Sequence, residues 1–88
     1  MKKLYVLVDA GLSKSQQAVQ SGHAVAEYLL ENPNTEWDNG TLVYLKTPIL
    51  ENFLYKAEAI FQEPDLDNKI TAIAFLAEEA PLGEFRLL

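Results

Sequence analysis

Cysteine is absent from this 88-residue chain, so it can form no disulfide, no thiolate metal site and no thiol nucleophile, and packing must supply its stability. Histidine occurs once, as His23, and one imidazole without a spaced carboxylate partner is no metal-ligand set. Neither a metal nor a cofactor is therefore expected. Long apolar runs are missing too, each being broken by Asp, Lys, Glu or Gln, which excludes a membrane-spanning helix. Met1-Lys2-Lys3 leads into too brief an apolar stretch for a signal peptide, so the expectation is a soluble cytoplasmic protein with no membrane contact. Positive charge is scarce: 7 Lys and Arg stand against 13 Asp and Glu, for a formal net charge of −6. That balance works against generic attraction to a phosphate backbone, and any RNA contact must be local. Lys2, Lys3 and Lys14 are the one basic concentration, whereas Glu58, Glu63, Asp65, Asp67, Glu78, Glu79 and Glu84 load the second half with acid. An anion site belongs in the N-terminal half.

What is present reads as one globular domain over residues 1–88. Hydrophobic residues make up 49% and charged residues 23%, a balance that supports a packed core. No repeat, low-complexity tract or Gly/Ser linker divides the chain. A domain this small buries a limited share of its surface, which makes a homodimer or a protein partner an expectation.

Leu4-Tyr5-Val6-Leu7-Val8 is a continuous run of β-formers and suits a strand covered on both faces. Asp9-Ala10-Gly11-Leu12 breaks it, and Ser13 with Gln16 three residues on has the form of a capping box opening a helix that runs to about Leu30. Asn39-Gly40 signals a turn into a second strand, Thr41–Lys46. Thr47 as cap, Pro48 at the first position and the stripe Ile49, Leu50, Phe53, Leu54, Ala57, Ile60 and Phe61 predict a second helix, ended by Glu63-Pro64-Asp65. Ile70–Leu76 is the third strand, and the tail from Glu78 to Leu88 is open between strand, arm and short helix. Alternating strands and helices predict an α/β sheet with packed helices.

At 100° per residue the first helix has Gln16, Gln20, His23 and Glu27 along one stripe and Ala18, Gly22, Val25 and Leu29 along the opposite one. The first stripe reads as polar and the second as packed, with Gly22 implying close approach to the sheet. A polar stripe is ordinarily a solvated face. This one, however, begins where a strand feeds a helix N-terminus, where free backbone N–H groups favour an anion, and Ser13, Lys14 and Ser15 sit in that turn. His23 suits proton transfer by its ordinary pKa, though a structural role on the helix is the stronger reading. No Gly-x-Ser-x-Gly elbow occurs, and Gly11-Leu12-Ser13-Lys14-Ser15 lacks the second glycine of a phosphate loop. Tyr5, Tyr44, Phe53, Phe61 and Phe75 read as core; Trp37, in a polar loop, reads as a partner contact or a lid over the first helix's end, and Tyr28 as free of the core.

The segment Leu12-Ser13-Lys14-Ser15-Gln16-Gln17-Ala18-Val19-Gln20-Ser21-Gly22-His23-Ala24 resembles the signature of the type II peptidyl-tRNA hydrolase family. Glu63-Pro64 followed by Thr71–Phe75 resembles that family's late turn and last core strand, and Leu87-Leu88 its end. The resemblance implies a three-layer α/β/α domain on a mixed sheet of about four strands. It also implies hydrolysis of the ester joining a peptide to tRNA, with Lys14 and Gln20 in the catalytic apparatus and Ser13, Ser15, Gln16 and His23 around the bound group. Two departures stand out: Gln16 occupies the place of a second lysine, and a later acidic loop is collapsed into Glu63–Asn68, where Asp65 or Asp67 would have to stand in. The expected partner is tRNA or peptidyl-tRNA. A non-catalytic binding or assembly module on the same fold is the alternative, since Gln16 supplies no charge.

Overall fold

A computed structural model describes residues 2–79 and 85–88. Five strands form one mixed sheet: β1 (Lys3–Asp9), β2 (Leu42–Thr47), β3 (Ala59–Glu63), β4 (Lys69–Ala77) and β5 (Arg86–Leu87), in the order β3-β4-β1-β2-β5. β1 and β2 run parallel, joined through the helix α1 (Lys14–Glu31), while the β1–β4, β3–β4 and β2–β5 pairs are antiparallel.

The apolar run of β1 is buried on both faces, as its lack of alternation requires. Leu4, Val6 and Val8, with Ala72 and Ala74 of β4, face α1, joined by Ala24, Tyr28 and Trp37. Tyr5, Leu7, Ile73 and Phe75 form the opposite core with Leu45 and Leu50, and Phe53, Leu54 and Ala57 pack against it.

The second helix is shorter and tighter than its stripe predicts. A 3-10 helix spans Leu50–Lys56, and Ile60 and Phe61 lie in β3. Thr47 ends β2, its hydroxyl accepting the Ile49 N–H at 3.2 Å. The physical reason is pairing: β4 needs a partner on its outer edge, and Ala59–Glu63 alternates buried and exposed with the period of a strand. Helical spacing up to Ala57 and strand spacing after it coincide in the sequence. β3 and β5 join the three strands read from the sequence to give a five-stranded sheet, where the resemblance implied about four. Of the open tail, Arg86–Leu87 forms β5, and residues 80–84 lie outside the described residues.

The first helix forms where predicted, with its burial phase turned. Its buried residues are Gln17, Gln20, Ser21, Ala24 and Tyr28, a stripe about 90° from each of the two stripes predicted. Tyr28 is core, and Trp37 is 8% exposed, covering α1 while its indole N–H donates to the Thr41 carbonyl at 3.0 Å. Gly22 and Ala18 are exposed, and no atom lies within 4 Å of where a Cβ on Gly22 would sit. Close approach is thus not the reason for this glycine. Gly22→Ala is expected to stabilise the protein by about 0.5–1 kcal/mol, read as a higher urea midpoint, because it restricts the unfolded chain without a clash.

Candidate functional site

The candidate site lies at the carboxyl ends of the parallel strands, where open α/β sheets leave a crevice. β1 ends at Asp9 and β2 at Thr47, paired in register, and the Ala10 N–H continues the ladder to the Thr47 carbonyl at 2.9 Å. The chain then turns through Gly11 and Leu12 into α1.

That turn is fastened from inside. The Asp9 carboxylate accepts the Gly11 N–H at 2.8 Å, and a Cβ on Gly11 would lie 3.1 Å from the same oxygen. Gln17, buried one turn into α1, donates its amide to the carbonyls of Leu12 at 2.8 Å and Ala10 at 3.3 Å. Ser13 caps the helix, its hydroxyl accepting the Gln16 N–H at 3.1 Å. Only the forward half of the predicted capping box forms, because the Gln16 side-chain oxygen accepts from Gln20 at 3.1 Å instead of reaching back. The first turn carries no acidic side chain, and Ser13, Lys14, Ser15 and Gln16 are all exposed. An 18-residue helix thus opens to solvent with its positive dipole end uncompensated and a lysine beside it.

Asp9 also holds Lys69 of β4, Nζ to Oδ2 at 2.8 Å, with its side chain 15% exposed. Burial pushes the Asp9 carboxyl up, but the hydrogen bonds from Lys69 and Gly11, with the Lys69 charge, outweigh it and hold the group below the usual carboxylate value. A depressed folded-state pKa contributes stability that is complete above the unfolded value of about 3.9 and is lost as pH falls through the folded value. Wild-type protein is therefore expected to lose more stability between pH 7 and pH 3 than Asp9→Asn, compared by urea midpoints; equal losses would remove Asp9 from the acid response.

Gln20 is 0% exposed. Its side-chain oxygen accepts the Thr71 hydroxyl at 2.7 Å, and its amide nitrogen donates to Gln16. A β-bulge makes this possible. Phe61 pairs with Ala72 but Gln62 pairs with Ile70, so Thr71 is an extra residue in β4, re-aimed from its neighbours' alternation toward α1. The resulting chain, Thr71 to Gln20 to Gln16, runs from the dry sheet to the surface at the third helical residue. Gln20 therefore packs under the helix, where the predicted polar stripe would have exposed it.

The other predicted residues lie apart. His23 is nine residues beyond Lys14, about 13 Å along the helix, and stacks on Phe61 with ring centroids 4.5 Å apart. Asp65 is exposed in the short 3-10 turn Pro64–Leu66 between β3 and β4, and Asp67 follows with a left-handed backbone, φ 54°. The turn at Lys14 thus gathers Ser13, Lys14, Ser15 and Gln16, while His23 sits on the β3 side and Asp65 in another loop.

Sequence reasoning missed Asp9, Gln17, Lys69 and Thr71. Asp9 carried a signal, a lone carboxylate directly after a buried strand; the others act through contacts that only the sheet order creates. No helix among the described residues is long and apolar enough to cross a membrane, and they hold no cluster of three or more His, Asp or Glu arranged to bind a metal. Compared with known proteins, the chain matches no family model and no curated protein.

Proposed function

We propose that this chain is a peptidyl-tRNA hydrolase-type protein acting at the turn between β1 and α1. Water adds to the ester carbonyl, the carbon–oxygen bond to ribose breaks, and the ribose oxygen leaves with a proton. Lys14 and the free N–H groups at the helix N-terminus balance the negative charge that develops on the carbonyl oxygen. The observation that carries this reading is the exposed, acid-free start of an 18-residue helix, with Lys14 in its first turn, at the carboxyl ends of two parallel strands. Asp9, held by Lys69, keeps the turn in shape without adding free negative charge to it.

A second reading, binding of the same RNA end without cleavage, has its own support. Gln20 is tied to Gln16 and to Thr71, which removes both of these amides from direct work on a substrate. One assay separates the two: purified protein with a peptidyl-tRNA analogue at low salt, where electrostatic RNA binding is strongest. Peptide release supports hydrolysis; binding without release supports the module; the absence of both binding and release would show that the turn has no RNA chemistry.

A further inference from the structure

The outward surface of α1 inverts the usual order of a surface helix, with polar side chains beneath and apolar ones above. Gln17, Gln20 and Ser21 are buried under it, whereas Val19, Leu29 and Leu30 are 48%, 45% and 77% exposed. Ala18, Gly22 and Ala26 between them are exposed as well, and Val25 at the edge is half-buried. At 100° per residue these positions sweep an arc of about 140° from Val25 round to Leu30, with Ser15 its one polar member. No charge falls in that arc, although 23% of the chain is charged. The sequence marks Ala18, Gly22, Val25 and Leu29 for packing, yet α1 lies on β1, β3 and β4 through a different stripe. An apolar face of four turns left open in this way marks an interaction surface.

Two features of the face say what covers it. Its residues read nearly alike in both directions from Gly22. An antiparallel second copy, with the two-fold axis at Gly22, sets Ala18 opposite Ala26 of the other chain and Val19 opposite its Val25. Small residues then meet at the centre and β-branched ones beside them, which lets two helices approach closely. The ends of the helix are complementary too. Its first turn holds Lys14 and no acid, its last turn holds no base, and Glu27 and Glu31 lie toward its end. Each charge thus stands where the helix dipole disfavours it. The hydrogen bond that Glu31 shares with Glu27 raises the Glu31 carboxyl, the mark of two acids crowded together. An antiparallel copy lays the positive start of each helix beside the negative end of the other. A lipid surface fits less well, since helices of that kind carry Lys and Arg along the polar face and this chain has a net charge of −6.

We infer that the outward face of α1 is the interface of a two-fold homodimer in which the two helices pack antiparallel. The contact runs from Ser15 to Leu30, about 22 Å along the axis. A single helix pair of that length buries less than the roughly 1,200 Å² of a stable interface, so the dimer is weak and concentration-dependent. Apart from Ser15 the face shares no residue with the turn proposed to act on an ester, and it stands whether or not an ester is cleaved there.

The test is sedimentation equilibrium of the full chain from about 1 to 500 µM, a range that brackets weak association. A monomer–dimer equilibrium is expected, and Val19→Glu and Ala26→Glu should each weaken it at least tenfold. Their urea midpoints at low concentration should stay near that of the wild type, because both positions are exposed. Tyr55→Glu, at a 79% exposed position in the 3-10 helix on the other side of the sheet, should leave dimerisation unchanged. The joint change Glu27→Lys with Glu31→Lys should weaken the dimer at low salt yet raise the urea midpoint at low concentration, because it suits the dipole of the single helix. The chain has no cysteine, so Gly22→Cys gives each copy one thiol, placed at the axis. Oxidation should convert that variant to a covalent dimer and leave Tyr55→Cys monomeric. A monomer throughout the range, dimerisation unchanged in both Glu variants of α1, or equal cross-linking of the two Cys variants would overturn the inference, as would binding to phosphatidylcholine vesicles without self-association.

Discussion

Thr71→Val is expected to lower stability by about 1–3 kcal/mol, a large effect for an isosteric change that removes one hydrogen bond. The Gln20 side-chain oxygen would keep its place in a dry interior and lose its 2.7 Å donor. Water cannot replace it without opening the contact between α1 and β4, since both residues are fully buried. Gln20→Leu should cost a similar amount by leaving the Thr71 hydroxyl unpaired. The double variant should be more stable than the sum of the two losses predicts, because an apolar pair of similar shape removes both desolvation penalties together. Equilibrium urea unfolding of the four proteins measures this cycle. Additive losses would show that the two side chains do not depend on each other.

Under the proposed hydrolysis, Lys14→Ala is expected to have the other large effect, on turnover instead of stability. A donor aimed at developing oxyanion charge is worth on the order of 10²–10³ in rate when removed. Lys14 is exposed at the first position of α1, so its truncation should change stability by no more than about 0.5 kcal/mol. Lys14→Arg should retain part of the rate, since the charge persists with different geometry. The signature segment is thereby divided between two expected roles. Gln20 answers in stability and Lys14 in rate, although both belong to the same resembled motif.

Much of the architecture was legible because it rests on local signals. The unbroken run Leu4–Val8 announced a strand covered on both faces, Ser13 announced a cap, and three strands appear where alternation or runs of β-formers placed them. The phase of α1 was not legible. Its buried stripe is made of Gln17, Gln20, Ser21 and Ala24 before it reaches Tyr28, and none of the first four is hydrophobic enough to mark a packing face. These small and amide-bearing side chains suit the alanine-rich surface of β4, a match that exists only after β4 is placed beside β1. The same holds for Ile60 and Phe61, which continue a helical spacing but pair as an edge strand.

Of the site, the turn at Ser13–Gln16 was legible, because strand-then-cap is a local pattern. Its support was not. Asp9 and Lys69 are 60 residues apart in the sequence and meet at 2.8 Å through an antiparallel neighbour, and Thr71 reaches Gln20 through a bulge that no composition or periodicity signals.

The most direct test of the central claim is single-turnover release of peptide from a peptidyl-tRNA analogue, followed side by side for wild-type protein and Lys14→Ala. Release by the wild type, slowed on the order of 100-fold in the variant with its urea midpoint unchanged, is the predicted result. Release at equal rates by both proteins, or by neither, would contradict a hydrolytic site at this helix N-terminus.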